Sequence, residues 1–590
     1  MNDQLLEESM DMFRSYKKNC VNIDSQQNHH TKLRRNIVVA LIGAVVAAAG
    51  TPAVSVANEE ALYGTDHAFA SEAIYFLLTD RFVDGDPSNN HVDQGKPHFG
   101  TFNRHLPGPD GKHANIGYMG GDFKGVLNNA DYIADMGFTS VWMTPFIDNP
   151  DAAFSGDKEV TYGAGYQDGF KTGYHGYWGV NFYKIDEHLV SEGLDFQTLA
   201  AELRDKYGLK FVLDIVGNHG SPSYTMPKAQ PEFGKIYDES GRLVADHQNL
   251  HPKNLDPKNS LHQFFNRSTG LAKLSDLDPD NPEVLDYLMG SYFKWLDQGA
   301  YAIRVDTIKE QPHRFWKKVA DRLRTHRPGI FMFGESYSFD AESIAEHTRP
   351  ENGGFSVLDF PGRKSITGVF ENPGTDFSEI LSYLHLESGV YENPYELVTF
   401  YDNHDMARMN ADDNGFIDAN NWLFTARGIP AIYYGSEVNF MTGAAEHYGN
   451  RNFFGQDRVN AAKSNPIRQA LSKIANIRKK NVSLQKGLQL NMKFAGDTAV
   501  FYRIHQKNEE KQTALVMLNK GDVAQTVGLD TLVNAGVWKD ATTGKMVTIS
   551  SDQKAFTAQV PAHGVRVFLL NAALTNQDLL ARAEELMKNR

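Results

Sequence analysis

Two rhythms of apolar residues alternate along this chain. From residue 73 onward, short runs rich in β-branched and aromatic residues read as strands at 73–78, 140–143, 211–216, 302–305, 330–333, 356–360, 397–401 and 431–434. Between most of them lie segments with helical period, at 196–207, 282–298, 313–326, 376–387 and 419–427. Strand-helix alternation of this length predicts a parallel sheet, and eight such units close into a (β/α)8 TIM barrel, an α/β fold. The stretch 220–273 breaks the rhythm: it is rich in Pro, Asn, Asp, His and Gly and too long for an ordinary loop. An inserted loop-rich domain over 219–277, after the third strand, is therefore expected between barrel segments 58–218 and 278–486. Beyond residue 487 the pattern shifts to short alternating strands (499–505, 513–518, 564–570), which predict a C-terminal antiparallel β-sandwich over 487–572. A helical tail, 573–590, follows, with its helix over 575–588.

The first 32 residues are polar. Lys32, Arg34 and Arg35 then precede an apolar run from Ile37 to Gly50, and small residues end at Ser55, Val56 and Ala57. These are the parts of a secretory signal, so residues 1–57 are expected to be an N-terminal extension and export segment cleaved after Ala57. The run is shorter than the ~20 residues that span a bilayer, so no stable membrane anchor should remain after processing.

Composition narrows the function. The 590 residues carry 73 acidic side chains against 59 Lys plus Arg, a formal charge of −14. That balance argues against a nucleic-acid partner, whose affinity comes from clustered cations. A 41% hydrophobic content excludes wholesale disorder. The 36 Phe, 25 Tyr and 6 Trp suit a sugar-binding protein, because sugars present apolar ring faces. The single cysteine, Cys20, permits neither an intramolecular disulfide nor a thiolate metal cluster.

In such a barrel, chemistry belongs just past the C-terminal ends of the strands. The third strand leads into Asp214, Asn218 and His219, and the fourth into Arg304, Asp306, Lys309 and Glu310. The fifth leads into Glu335, and the seventh into Asp402, Asn403, His404 and Asp405. A lone strand-end Asp is more often a helix cap. Three carboxylates at three strand mouths, each beside an Arg, His or Gly, form a constellation.

These segments resemble the signature regions of the α-amylase family of glycoside hydrolases, in the family's order. Further matches are Gly120-Gly121-Asp122-Phe123, Thr144-Pro145, His175-Gly176-Tyr177-Trp178, Leu274-Ser275-Asp276-Leu277-Asp278 and Tyr434-Gly435-Ser436-Glu437. The resemblance covers about residues 70–570. It implies a retaining mechanism, with Asp306 as nucleophile, Glu335 as general acid/base and Asp405 as the carboxylate that binds sugar hydroxyls and favours a distorted ring. It also implies Tyr177 as a stacking platform, His219 and His404 as hydrogen-bond donors to the same glucose, and Lys309 as a contact on the leaving-group side. Arg304 lies two residues before Asp306, on the same face of a strand, and is expected to keep Asp306 ionised. Glu335 must hold its proton near neutral pH through burial and nearby negative charge. The chain departs from the family at Glu310, where α-amylases usually carry His. That family residue often lends calcium only its backbone carbonyl, so Glu310 is compatible with the metal.

The loop after the first strand offers Asp84, Asp86, Asn89 and Asn90 as closely spaced hard oxygen ligands. Spacing alone leaves an Asx-rich turn without metal as an alternative. With Gly120 and Asp122, the loop resembles a Ca2+ site of cyclodextrin glucanotransferases. Asn218 and Asp276 match the family's calcium ligands between barrel and insert.

The resemblance thus implies a secreted or periplasmic α-amylase, monomeric, Ca2+-dependent, and acting on the α-1,4-glucosidic bonds of starch and maltooligosaccharides. The alternative is a transglycosylase forming cyclodextrins or longer maltooligosaccharides through the same covalent intermediate. The Leu274–Asp278 sequence is closer to typical amylases than to oligo-1,6-glucosidases or neopullulanases, and the expectation of no starch-binding module after the sandwich argues against a full-length cyclodextrin glucanotransferase. A non-catalytic carbohydrate-binding homologue is the remote alternative, opposed by the retention of Asp306, Glu335 and Asp405.

Overall fold

A computed structural model describes residues 61–96, 100–227, 230 and 232–589. The expected export segment, with Cys20, lies outside the described residues. The eight expected strands are present as β1 (Ile74–Leu77), β2 (Ser140–Met143), β3 (Lys210–Val216), β4 (Ala300–Asp306), β5 (Phe331–Gly334), β6 (Ser356–Val357), β7 (Val398–Thr399) and β8 (Ile429–Tyr433). They form one sheet in the order β6-β5-β4-β3-β2-β1-β8-β7. All neighbouring pairs are parallel. A parallel bridge between Leu358 and Val398 closes the two ends into a barrel. Strands buried on both faces need unbroken apolar runs, which is why β1 and β2 are buried at every position. Aromatic rings from three strands meet: Phe76 stacks on Trp142 at 3.7 Å, and Trp142 meets Phe333 edge-on at 5.6 Å. The barrel is a packed core, not a pore.

Local signals set most helix ends. Helix α1 (Phe123–Asn128) starts at Asp122, and α2 (Phe196–Tyr207) starts at Asp195, whose carboxylate accepts from the Thr198 N–H at 2.9 Å. Gly208 ends α2 at φ 66°, a left-handed conformation that needs no Cβ. Helix α3 (Pro282–Asp297) follows an Asn281 cap with proline in the first turn, and α4 spans His313–His326.

Three expectations are corrected. The helix expected over 376–387 is a 3-10 stretch, Phe377–Tyr383, because its buried residues Phe377, Ile380 and Tyr383 repeat every third position, the 3-10 period. The sixth strand stops at Val357, since Asp359 accepts from the Gly362 N–H at 2.8 Å and starts helix α5 (Phe360–Phe370). The helix expected over 419–427 begins earlier, as α6 (Asp413–Leu423), where Asp412 caps the Gly415 N–H at 2.9 Å.

The insert after β3 leaves and returns through an antiparallel stem, His219–Pro222 against Leu274–Asp276. A second excursion, between β2 and α2, was not assigned from the sequence. It contains a ladder of Ile147–Asp148 with Asn181–Ile185 and carries Tyr177. Phe154 and Trp178 from this excursion pack with Met226, Phe233 and Leu274 of the insert, so both excursions build one wall beside the mouth.

The C-terminal region is antiparallel, as expected. Strands β9 (Leu488–Ala495), β10 (Thr498–Lys507), β11 (Glu510–Asn519), β13 (Gly536–Asp540), β14 (Met546–Ile549) and β16 (Gly564–Leu570) form a sheet ordered β9-β10-β11-β16-β13-β14. Strands β12 (Gln525–Leu529) and β15 (Phe556–Val560) pair separately. Helix α7 (Gln577–Asn589) follows, burying Leu579, Ala583 and Leu586. Among the described residues, no helix is long and apolar enough to cross a membrane.

Candidate active site at the mouth of the barrel

The strand ends of β3, β4 and β5 bring their polar residues to one guanidinium. Arg304 is fully buried and donates from Nη1 to Asp214 Oδ1 (2.8 Å) and Asp306 Oδ1 (2.9 Å); its Nη2 lies 2.8 Å from Glu335 Oε2 as an ion pair. Parallel register explains the meeting: Arg304 pairs with Asp214 on one side and Phe333 on the other, two residues before Glu335. Thr307 completes the junction. Its hydroxyl donates to Asp306 Oδ2 at 3.1 Å and its N–H to Glu335 Oε2 at 3.3 Å. It does so at φ 44°, a strained conformation for a β-branched residue and one that concentrates at functional sites.

One cation does not neutralise this many buried carboxylates. Burial pushes Asp306 up to about 6, against the pull of Arg304 and with a push from Asp214 and Asp405. Asp214 is likewise raised by burial to about 6. Burial pushes Glu335 to about 8; Arg304 opposes this, while Asp405 and Asp306 reinforce it. Thus Arg304 leaves Asp306 largely ionised at neutral pH without bringing it below the ordinary carboxylate range. Glu335 keeps its proton there.

Asp405 opens to the cavity with 29% of its side chain exposed. Burial alone would raise it, but His404 and Arg451 hold it below its ordinary value. Burial pushes His404 down to about 3, so at neutral pH this ring is uncharged and Arg451 is the cation facing Asp405. Arg451 Nη2 donates to Asp405 Oδ1 at 2.7 Å, and its Nε holds the His404 carbonyl at 2.9 Å. Tyr177 stacks parallel to His404 at 5.4 Å and donates its hydroxyl to Asp214 at 2.9 Å. His219 is buried and lowered to about 4 by that burial. Lys309 donates to the Tyr337 carbonyl at 3.2 Å and lies 3.8 Å from Glu310.

Tyr177, His219, Asp306, Lys309, Glu335, His404 and Asp405 line one cavity of about 440 Å3, with Glu310 at its edge. All the residues expected to touch sugar are therefore together, with Arg304 behind them. Sequence reasoning named Asp214 at a strand end without giving it a role, and missed three contributors altogether. Asp214 had a usable signal, a charge inside an otherwise apolar strand, since buried charges occur only when paired. Arg451, Glu446 and Lys171 carried none. They form a relay: Arg451 Nη1 lies 2.9 Å from Glu446, which accepts from Lys171 at 2.7 Å. Against the push of burial, Arg451 and Lys171 hold Glu446 well below the usual carboxylate range.

The expected metal ligands fall in two places. In the loop after β1, Asp84 Oδ1, Asn89 Oδ1 and Asn90 Oδ1 are buried without a hydrogen-bond partner. Gly120 sits among them at φ 91°, where a Cβ would press on Asn90 Oδ1 and Asp84 Oδ2. Orphaned, converging hard oxygens are the donor set a Ca2+-sized cation takes. Asp122 closes the loop otherwise, its Oδ1 accepting from the Gly125 and Gly85 N–H groups at 2.6 and 3.1 Å. Asp86 turns to Ser88, whose hydroxyl hydrogen bond holds it at about 2. At the insert stem, Asn218 Nδ2 approaches Asp276 Oδ1 at 3.4 Å, and burial, reinforced by Glu310, pushes Asp276 up to about 7. Hydrogen bonds from the Gly270 and Leu271 backbone and from Asn218 oppose that rise without cancelling it, and a carboxylate left so raised also fits a cation. A third acidic group, Asp186, Glu187 and His188, is knit internally instead: His188 bonds Asp186 at 2.7 Å and Gln94 at 2.9 Å and stacks on Tyr118.

A family model described as the α-amylase catalytic domain matches residues 76–485. A cyclomaltodextrin glucanotransferase of Bacillus licheniformis is 30% identical over 494 residues, covering 81% of this chain and 63% of its own length. An α-amylase of Niallia circulans is 29% identical over 543 residues, covering 88% of this chain and 94% of its own. Among solved structures, a cyclomaltodextrin glucanotransferase with a three-domain ABC distribution is 28% identical with a TM-score of 0.68, covering 85% of this chain and 99% of that one. The chain spans only 63–65% of the length of three glucanotransferases that it matches.

Proposed function

This chain belongs to the α-amylase family of α-glucan-active, retaining-type enzymes, and we propose that within it the chain is a hydrolase that cuts α-1,4-glucosidic bonds inside starch and maltooligosaccharides. The observation that carries the mechanism is the split of the buried carboxylates: Glu335 raised to about 8 and Asp306 to about 6 across one guanidinium. In the first step Glu335 gives its proton to the glycosidic oxygen while Asp306 attacks the anomeric carbon. The leaving chain departs with a new hydroxyl, and a covalent β-glycosyl-enzyme remains. In the second step the Glu335 carboxylate takes a proton from water, the water oxygen displaces Asp306, and the α configuration returns. Asp405, with Arg451 behind it, binds sugar hydroxyls of the distorted ring. Tyr177 supplies the stacking face.

The transglycosylase reading shares every step but the acceptor. It is supported by the glucanotransferase relatives and by Tyr337, 38% exposed beside Lys309, which offers a sugar acceptor an apolar face. Products from maltoheptaose separate the two. Shorter α-anomeric products support hydrolysis, whereas cyclic products or chains longer than the substrate support transfer.

We also propose Ca2+ at the loop after β1, held by Asp84, Asn89, Asn90 and Gly120, and at the stem through Asn218 and Asp276. Bound there, the ion supplies charge compensation and loop closure. Chelation should lower the melting temperature and Ca2+, but not Mg2+, should restore it; an unchanged melting temperature in excess chelator overturns the metal while sparing the mechanism. Export by residues 1–57, with the mature chain acting as a monomer outside the cytoplasm, remains part of this proposal. N-terminal sequencing and sedimentation of the exported protein test it.

A further inference from the structure

The catalytic cavity carries an aromatic ring on its Lys309 side. Tyr337 lines it and, two residues on, Phe339 lines a separate open groove of about 630 Å3 on the outside of the barrel. The two rings lie 6.2 Å apart at 71°. Both are exposed, Tyr337 by 38% and Phe339 by 41%, and Phe339 meets Phe360 edge-on at 6.2 Å. The groove runs between α5 and the 3-10 stretch Phe377–Tyr383. Its lining sets that exposed aromatic face beside side-chain hydroxyls and charges: Lys364, Ser365, Glu379, Ser382 and His385. Ser365 and Ser382 face each other at 3.2 Å.

An aromatic face beside hydroxyl, carboxylate and ammonium groups is the chemistry that binds a sugar ring, stacking its C–H face and bonding its hydroxyls. A groove of this size falls within the ~300–1,000 Å3 of ligand sites. Resting on the α-glucan reading above, we propose that this groove is a remote binding site for the α-glucan chain, reached from the catalytic cavity through Tyr337 and Phe339. It engages substrates too long for the cavity itself. Linking two weak sites on one polymer raises apparent affinity without any new contact at the reacting bond.

Two variants of the full chain test this. Phe339→Ala removes the stacking face. Gly368→Leu fills the groove from α5, where a Cβ at Gly368 meets nothing within 4 Å, so the fold has room for it. In affinity electrophoresis through gels containing amylopectin, each variant should weaken retardation, raising the apparent Kd by about three- to tenfold. The ratio of kcat/KM on amylose to that on maltotetraose should fall by a similar factor. Retardation and ratio equal to the parent in both variants overturn the groove. Should Phe339→Ala fail to fold, Gly368→Leu carries the test alone. The functional reading fails differently: no reducing sugar is released from any α-glucan, while variant-sensitive retardation would still uphold the groove.

Discussion

Two regions of this molecule bury arginine against aspartate, and they do it in opposite ways. At the seam between barrel and C-terminal sheet, Arg427 is fully buried and every donor has an acceptor: Nη1 bonds Asp359 at 2.6 Å, Nη2 the Tyr383 carbonyl at 2.7 Å and Nε the Leu384 carbonyl at 3.1 Å. Its backbone N–H is received by Gln489 of β9 at 2.7 Å, which ties the pair to the sheet domain. At the mouth, Arg304 faces Asp214, Asp306 and Glu335 together, and its Nε has no partner. One-to-one pairing fixes charge and geometry. Three carboxylates around one cation leave burial in command, so all three are raised, Asp214 and Asp306 to about 6 and Glu335 to about 8. Neutralised charge positions domains; under-neutralised charge does acid–base chemistry.

The largest expected effect lies at the mouth. Asp306→Asn should lower turnover by about 10^4-fold or more, while its melting temperature equals or exceeds that of the parent, since a buried charge has been removed. Residual activity within tenfold of the parent would break the assignment of Asp306. The seam should show the reverse profile. Asp359→Ala strands a buried guanidinium and should cost about 3–5 kcal/mol in denaturant unfolding, with kcat/KM of the folded fraction maintained. The pair Asp359→Leu with Arg427→Met should recover most of that loss. A seam variant that lost activity but not stability would erase the contrast.

Titration sharpens the comparison further. Activity needs Asp306 ionised and Glu335 protonated, so kcat/KM should rise with pH through about 6 and fall through about 8. Asp214 contributes to the push on Asp306. Asp214→Asn should therefore move the acid limb down, and a limb that stays in place would show that Arg304 is not shared.

The smallest effect belongs to a second seam contact. His563 bridges Asp418 of α6 at 2.7 Å and Asp522 at 3.0 Å. Its hydrogen bond to Asp418 raises it from 6.5 to about 9, with Asp522 adding. A raised histidine stabilises the native state fully below its unfolded value and loses that contribution as pH rises through the folded one. The melting temperature should accordingly decline between about 6.5 and 9, and His563→Gln should flatten that decline. An identical slope in the variant would remove His563 from the seam's account.

Much of the framework is legible in consecutive residues. Apolar runs separated by helical periods marked all eight barrel strands, and Asp195 with Gly208 bounded α2 because caps act within one turn. Errors arose where two local signals competed. Phe377, Ile380 and Tyr383 repeat every three residues, a spacing close enough to the 3.6 of an α-helix for the two to look alike over so short a stretch. Asp359 and Asp412 were caps inside segments read as strand or loop. The proposed catalytic residues were readable because strand ends of such a barrel face one mouth, so position along the chain stands in for position in space.

What the sequence by itself determined is therefore whatever depends on neighbours a few residues apart: strand and helix periods, most caps, the insert, and the presence of Asp306, Glu335 and Asp405 at strand ends. Tertiary structure alone decided how those groups behave. Arg451, from the loop after β8, meets Asp405, from the loop after β7, and reaches Lys171 through Glu446, a residue 275 positions away from that lysine. Whether Arg304 serves one carboxylate or three depends on the register of β3, β4 and β5. The orphaned oxygens of Asp84, Asn89 and Asn90 depend on the packed loop, in which Gly120 leaves room beside Asn90 and Asp84. The physical reason is common to all three: burial is a collective property, set by everything that surrounds a group in space, and no stretch of chain carries it alone.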